Sequence, residues 1–423
     1  MMQLKDSKGQ SIVIADTPLA SGGEGDVYRV TGSLYKDDCV KIFHIGKMSA
    51  RRAKLDYMIN HPLAAPGNSV YRICWPQDFV FKGNECVGFL MPLAFDGSHS
   101  LYDINLKDGS EVFARATERG MTNRMKVLYN IANVINIIHQ HGYVLTDFKP
   151  QNILFTDAGK LSMIDMDSIQ IVENRKLVFG STAATAEYAY PKELHLLAKK
   201  QPLSSAWDVY SFAIVAYQIL LGIHPFAAST EAKSANGGGV TTPDQLMANN
   251  MFPFGPRKRE IFAKPPIHNY FLQLPKKLQE YFIQTFNIGA VPPSMAQWKD
   301  LIKDQIMNGA LLPNMFRANP KVPIFVITSE LPTNAKVGQW VTIEWEAFYC
   351  DKLIVMGVDR TGQNSARLYI PNDRTIEVVA TNHNTTIRKK IVFTQTSLFC
   401  TRCGSKYEND DDLYCTHCGT KRE

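Results

Sequence analysis

Two groups of side chains in this 423-residue chain have types and spacings suited to chemistry. Cys400-Thr401-Arg402-Cys403-Gly404 and Cys415-Thr416-His417-Cys418-Gly419 are two Cys-x-x-Cys-Gly knuckles. Four thiolates offer zinc the closed tetrahedron it prefers, and the glycine after each second cysteine lets backbone amides turn toward sulfur. Such a site has no open coordination position, so the expected zinc is structural, and His417, lying between ligands, should be exposed. A redox site would need one Cys-x-x-Cys at a helix N-terminus, not two matched pairs.

The second group sits in the string His141-Gly142-Tyr143-Val144-Leu145-Thr146-Asp147-Phe148-Lys149-Pro150-Gln151-Asn152-Ile153-Leu154, where a carboxylate, an ammonium and an amide share one short turn. A plain polar turn with an Asx cap is the competing reading. Downstream, the apolar Met163-Ile164 runs into Asp165-Met166-Asp167, for which a solvated acidic turn is the plain alternative. Upstream, Ser21-Gly22-Gly23-Glu24-Gly25-Asp26-Val27 precedes a β-run, Val40-Lys41-Ile42-Phe43, with one lysine among apolar neighbours. Singly these are weak signals, because glycine-rich hairpins are common and a strand lysine is more often an edge charge.

Taken together, the strings resemble the protein kinases over roughly residues 10 to 310, in particular bacterial kinases of the eukaryotic Ser/Thr type, whose catalytic loop reads His-Arg-Asp-Leu-Lys-Pro-x-Asn. The resemblance implies a two-lobed α+β fold and an ATP- and Mg2+-dependent protein Ser/Thr kinase. By it, Asp147 takes the proton of the substrate hydroxyl, Lys149 neutralises the transferred phosphoryl, and Asn152 and Asp165 hold Mg2+. Gly22, Gly23, Gly25 and Val27 cover the phosphates, with Ala20 where the first glycine is usual, and Lys41 holds the α- and β-phosphates. In Gly88-Phe89-Leu90-Met91-Pro92-Leu93, the Met91 carbonyl and Leu93 amide would meet adenine while Leu90 guards the back of the pocket. Glu187-Tyr188-Ala189-Tyr190-Pro191 resembles the end of an activation segment. Asp208, at the start of a buried helix, would accept hydrogen bonds from the catalytic-loop backbone, and His224 in Gly222-Ile223-His224-Pro225-Phe226 would be structural.

Several positions depart from the family pattern. Arg52 and Ala53 stand where a helix glutamate should pair with the strand lysine, and Asp56 is the only nearby acid on that helix. Met166 and Asp167 replace the phenylalanine and glycine of Asp-Phe-Gly. These changes make a nucleotide-binding pseudokinase scaffold, presenting its C-terminal modules to partners, the alternative to an active enzyme. A small-molecule kinase on a related fold is a second alternative, although Lys149 and the long segment from Asp165 to Glu193 look more like the protein-directed branch. Thr146 replaces the arginine that normally pairs with a phosphorylated residue of the activation segment. Ser181, Thr182 and Thr185 are therefore expected to be dispensable, with Arg175 as the substitute cation if they are not.

The elements around these residues follow from pattern. Short β-runs (Ser11 to Ile14, Val27 to Val30, Val40 to Phe43, Val87 to Met91) surround a helix from Ser49 to Asn60. From Met125 the apolar positions Val127, Ile131, Val134 and Ile138 share one helical face. This gives a kinase-like domain at 1–312, with an N-lobe of about 1–92 and a C-lobe of about 93–312. Pro313 to Pro323 reads as a linker. Period-two alternation follows: Val341, Ile343, Trp345 and Ala347 against Thr342, Glu344 and Glu346, then Ile376, Val378 and Ala380. It predicts a β-sandwich at 320–395, before a zinc ribbon at 397–423, and the runs Trp345-Glu346-Ala347, Asp351-Lys352-Leu353-Ile354-Val355 and Ala380-Thr381-Asn382 resemble the bacterial immunoglobulin-like modules appended to enzymes.

The composition, 45% hydrophobic and 20% charged, is that of ordinary globular domains. A net charge of +6 over 46 basic and 40 acidic residues is too dilute to imply a nucleic-acid or membrane partner. The most apolar stretch, Phe212 to Ile223, falls short of the ~20 residues of a spanning helix. With no targeting segment visible and Cys39, Cys74, Cys86 and Cys350 scattered as reduced thiols, the reading is cytoplasmic. Bacterial kinases with appended ribbon and immunoglobulin-like modules often act beside a phosphatase and a von Willebrand factor A-type protein, and that arrangement implies such partners here.

Overall fold

The computed structural model describes residues 2–423 apart from 33, 65–66, 108–110, 175, 182–183, 231–239, 241, 309–322, 328–330, 333–334, 349, 384, 394–401, 404, 406–415 and 419–423. The chain divides into two compact units, Met1–Arg317 and Ala318–Glu423. The expected linker at Pro313 to Pro323 lies almost wholly outside the described residues.

The first unit begins with eight strands: β1 (Met2–Lys5), β2 (Ser11–Ile14), β3 (Ala20–Ser21), β4 (Gly25–Arg29), β5 (Asp38–Phe43), β6 (Tyr71–Ile73), β7 (Asp78–Lys82) and β8 (Glu85–Pro92), with helix α1 (Met48–Asn60) between β5 and β6. All but β6 form one antiparallel sheet in the order β2-β1-β7-β8-β5-β4-β3. Both faces of this sheet are covered. Leu4, Ile12, Ile14, Val30, Val40, Val80 and Leu90 cluster on one side. Cys39, Phe43, Phe79, Phe89 and Met91 cluster on the other with Leu55 of α1. Alternation along β8 therefore sends Leu90 away from α1 and toward Val40 and Val80, which corrects the expectation that it guards a pocket. β1 precedes the first β-run expected from the sequence, Ser11 to Ile14.

A second, four-stranded sheet places β6 parallel to Leu161–Met163, then Ile153–Phe155, then His99–Ser100. Its central pair brings the residues after Asn152 alongside those before Asp165, with Ile153 opposite Met163.

Two helices carry the larger lobe. Glu118–Gln140 is capped by Thr117, whose hydroxyl accepts from the Gly120 amide at 3.0 Å, and Val127, Ile131, Val134 and Ile138 are fully buried as the period predicts. Ala206–Leu221 is buried along almost its whole length and stops at Gly222, in the left-handed conformation (φ 77°), whose amide donates to Gln218 O. The buried guanidiniums of Arg115 and Arg124 donate to the carbonyls of Gln218 and Ile219, cations at the negative end of that helix.

In the second unit, a three-stranded sheet (Ile324–Ile327, Trp340–Phe348, Ser365–Tyr369) and a four-stranded sheet (Val358–Asp359, Lys352–Val355, Thr375–Thr381, Thr386–Val392) share one core. That core holds Val341, Ile343, Trp345, Leu353, Val355, Ile376, Val378 and Ala380, so this region fits a β-sandwich. Ala347 breaks the expected alternation and is exposed. Of the four ribbon cysteines, Cys403 and Cys418 are described, whereas Cys400 and Cys415 lie outside the described residues. Among the described residues no three His, Cys, Asp or Glu side chains gather as a metal group, and no helix is long and apolar enough to cross a membrane. His417 is exposed.

Candidate active site

The β3–β4 hairpin roofs a cleft of about 520 Å³, within the usual range for small-molecule sites. Gly25 is obligatory there, because a Cβ would lie 2.2 Å from Ile42 O. Leu19, Val27, Cys39, Met91, Leu93 and Leu154 give the cleft apolar walls, and Gly22, Gly23, Lys41, Asn152, Asp165 and Asp167 line its polar end. Every residue expected to bind nucleotide thus borders one space. The Leu93 amide, however, already donates to Asp37 O at 3.0 Å, which corrects its expected role toward adenine; the next residue, Ala94, also lines the cleft. Burial raises the thiol pKa of both Cys39 and Cys74, so these cleft cysteines are held as neutral thiols.

The Asp147 turn is held from below. Asp208, fully buried, accepts from the amides of Leu145 (2.8 Å) and Thr146 (3.1 Å), and its carboxylate lies 2.9 Å from His139 Nε2. The Trp207 indole donates to Thr146 O at 2.7 Å. Thr146 and Asp165 both adopt positive φ (63° and 61°), a conformation that aspartate tolerates and a β-branched residue resists, so strain is stored at Thr146. The Asn152 amide donates to Asp147 O at 3.0 Å, and Ile164 N donates to Asn152 O at 3.0 Å, locking the two turns together. His224 serves as a brace, with Nε2 against Glu187 O and Nδ1 accepting from the Phe226 amide.

On the upper side of this turn, Asp147 Oδ2 meets Lys149 Nζ at 2.7 Å, while Asp147 Oδ1 accepts from the Thr185 hydroxyl at 2.7 Å. Lys149 Nζ also donates to Thr185 Oγ1 at 3.1 Å, closing a triangle. Nothing in the sequence singled out Thr185 for this place: one hydroxyl in a long segment has no distinctive spacing. Ser181, Thr182 and Thr185 were expected to be dispensable, and the structure places the hydroxyl of one of them, Thr185, against Asp147. Ser181 is buried, Thr182 and Arg175 lie outside the described residues, and Thr185 orients the carboxylate. We expect Thr185→Ala to lower the turnover number between tenfold and a hundredfold, since a hydrogen bond to a charged group contributes roughly 1.5–3 kcal/mol. Thr185→Ser should stay within about threefold, or less than ~1 kcal/mol. Steady-state kinetics on one acceptor would check both, and equal loss in the two variants would deny the hydroxyl its role.

Lys41 Nζ lies 2.9 Å from Asp165 Oδ1 and 2.8 Å from each carboxylate oxygen of Asp167. Burial opposes its charge, but Asp167 and Asp165 outweigh that effect and raise its pKa above the ordinary lysine value. No helix acid takes part. Asp56 is exposed, and Arg52 lies over the Phe79 ring. The helix residue that points inward is Lys54, whose Nζ donates to Asp167 O at 2.7 Å and whose pKa burial lowers to about 8. One turn closer to the cleft mouth, Arg51 pairs with Glu24 of the hairpin, Nη2 lying 2.6 Å from both carboxylate oxygens.

A roofed cleft, a strand lysine held by carboxylates and an Asp-x-Lys-x-x-Asn turn give this α+β unit the features of a protein-kinase-like domain. Comparison agrees, because residues 104–269 match the protein kinase domain family. The chain is 24% identical over 302 residues to the protein kinase YegI of Escherichia coli O157:H7, an alignment covering 68% of this chain and 44% of that relative. It is 27% identical over 229 residues to the serine/threonine-protein kinase pkn2 of Myxococcus xanthus, covering 49% of this chain and 24% of that protein. A calcium-dependent protein kinase of Arabidopsis thaliana is 30% identical over 145 residues, 33% of this chain and 24% of its own length. The chain spans less than half the length of these relatives.

Proposed function

We propose that this chain is an ATP-dependent protein kinase that transfers the γ-phosphoryl of ATP to a serine or threonine hydroxyl of another protein in the cytoplasm. The observation that carries the reading is the closed triangle of Asp147, Lys149 and Thr185 beside a cleft whose polar end holds Lys41, Asn152 and Asp165. Asp147 accepts the proton of the incoming hydroxyl, and Lys149, already at that carboxylate, neutralises the phosphoryl oxygens as they approach. A carboxylate and an amide oxygen are hard ligands, so Asn152 and Asp165 fit Mg2+, which when bound would neutralise the β- and γ-phosphates. Lys41 would hold the α- and β-phosphates, and the Gly22-Gly23-Glu24-Gly25 hairpin would cover them. Incubating the purified chain with γ-labelled ATP, Mg2+ and a generic basic protein should label serine and threonine. Nucleotide binding with no transfer to any acceptor would instead establish the pseudokinase scaffold.

The C-terminal modules fit a partner-binding role, with a phosphatase or a von Willebrand factor A-type protein as the partners implied by their arrangement. The donor set Cys400, Cys403, Cys415 and Cys418 suits a structural zinc, since four thiolates close the tetrahedron. Protein purified without chelator is expected to carry about one zinc per chain by elemental analysis. The metal should be lost on Cys403→Ser, with catalysis in the first unit little changed. Zinc-free wild-type protein would rule the ribbon out.

A further inference from the structure

Where a kinase of the usual kind anchors its phosphate-binding lysine to a helix glutamate, α1 offers Arg52, Ala53 and a solvent-facing Asp56, yet Lys41 is not left without an anchor. Both carboxylate oxygens of Asp167 lie 2.8 Å from Lys41 Nζ, and the Asp167 side chain is 5% exposed. Two residues from the proposed metal ligand Asp165, Asp167 occupies a position that is glycine in the family pattern, so a carboxylate has been gained where the helix lost one. From α1, buried Lys54 donates to the Asp167 carbonyl.

We propose that Asp167 is the positioning residue for Lys41, doing from the metal-binding turn what a helix glutamate does elsewhere. The inference rests on the nucleotide-binding reading of the cleft. Its regulatory meaning follows from the connectivity. In a kinase whose lysine partner rides on the helix, swinging that helix away disarms the site. Here lysine and carboxylate sit on β5 and on the turn after Leu161–Met163, so neither member of the pair rides on α1, which meets the pair only through Lys54 and the Asp167 carbonyl.

Two measurements on the full chain separate the possibilities. The first is acylation of Lys41 in nucleotide-free protein by a lysine-reactive ester, followed by peptide mass spectrometry. Asp167→Asn should raise labelling severalfold, Asp167→Glu should leave it low, and Asp56→Ala should match wild type. The second is binding of Mg2+-ATP, without acceptor, to wild type, Asp167→Asn, Lys41→Met and the double variant. Each single change should weaken binding tenfold or more, and the double variant should lie within about twofold of Lys41→Met, because the two residues act as a unit. Unchanged Lys41 labelling in Asp167→Asn, additive losses in the cycle, or enhanced labelling in Asp56→Ala would overturn the proposal. If Asp167→Asn does not fold, Asp167→Ser takes its place, and Lys41 labelling no higher than wild type in that variant would overturn the proposal. Wild-type protein that fails to bind ATP would refute the kinase reading, while the labelling arm would still test the Lys41–Asp167 pair.

Discussion

Asp147→Asn is expected to reduce phosphoryl transfer by three orders of magnitude or more, about 4 kcal/mol of barrier, with Mg2+-ATP affinity within about threefold of wild type. The amide keeps the size of the side chain, and its one oxygen can still accept from the Thr185 hydroxyl or the Lys149 ammonium, which Asp147 receives at separate oxygens, so the turn remains folded. What it loses is the negative charge that takes the proton of the acceptor hydroxyl and holds Lys149 in place. Because Asp147 is not among the residues lining the nucleotide cleft, the effect should fall on the turnover number alone. Single-turnover measurements with saturating ATP check this. A variant retaining a tenth of the wild-type rate would move the proton acceptor elsewhere.

The second large effect concerns stability. Asp208→Ala should lower the unfolding free energy of the first unit by roughly 3–5 kcal/mol, since it strips partners from two buried amides and one imidazole at once, each leaving about 1–3 kcal/mol of unmet desolvation. The Leu145 and Thr146 amides lie beneath the catalytic turn, and Thr146 is held at φ 63° against its own preference, so the turn should relax as the support disappears. A thermal midpoint lower by roughly 10 °C is expected for a unit of this size. Activity measured well below that midpoint should also fall, which a purely global destabilisation would not produce. Asp208→Asn separates the contributions: it can serve one amide through its carbonyl but turns a donor toward the other. A midpoint within 2 °C of wild type for the alanine variant would show that the turn is supported from elsewhere.

How far the sequence could be read depended on whether a residue's neighbours were local. Val127, Ile131, Val134 and Ile138 announce a buried helix face because one period fixes all four, and they are fully buried. The residues of the Asp147 turn could be grouped from spacing, since they lie within a few bonds of one another. Leu90 was misplaced because β8 is covered on both sides. When Phe89, Leu90 and Met91 are all apolar, alternation no longer says which side faces the cleft. Thr185 and Asp167 were illegible as functional partners because their contacts span 38 and 126 residues of chain. Distances of that kind are set by how sheets and helices meet. The missing helix acid was visible in the sequence; its replacement on the opposite side of the cleft was not.

The parallel pairing of β6 with Leu161–Met163 gives the cleft a joint. Backbone hydrogen bonds, among them Cys74 N to Met163 O at 2.9 Å, sew the smaller lobe to the strand from which Asp165 hangs. At the opposite end the hairpin is fastened to α1 by Arg51 and Glu24, a half-exposed ion pair worth less than about 1 kcal/mol in water. The cleft of the first unit therefore resembles a jaw with a stiff hinge at the back and a weak, salt-sensitive catch at the front. Opening it would swing the glycine-rich lip through a wide arc while Asp165 and its neighbours, close to the pivot, hardly move. On the proposed reading, nucleotide would then come and go past the lip, and the end that holds Asn152 and Asp165 would stay formed.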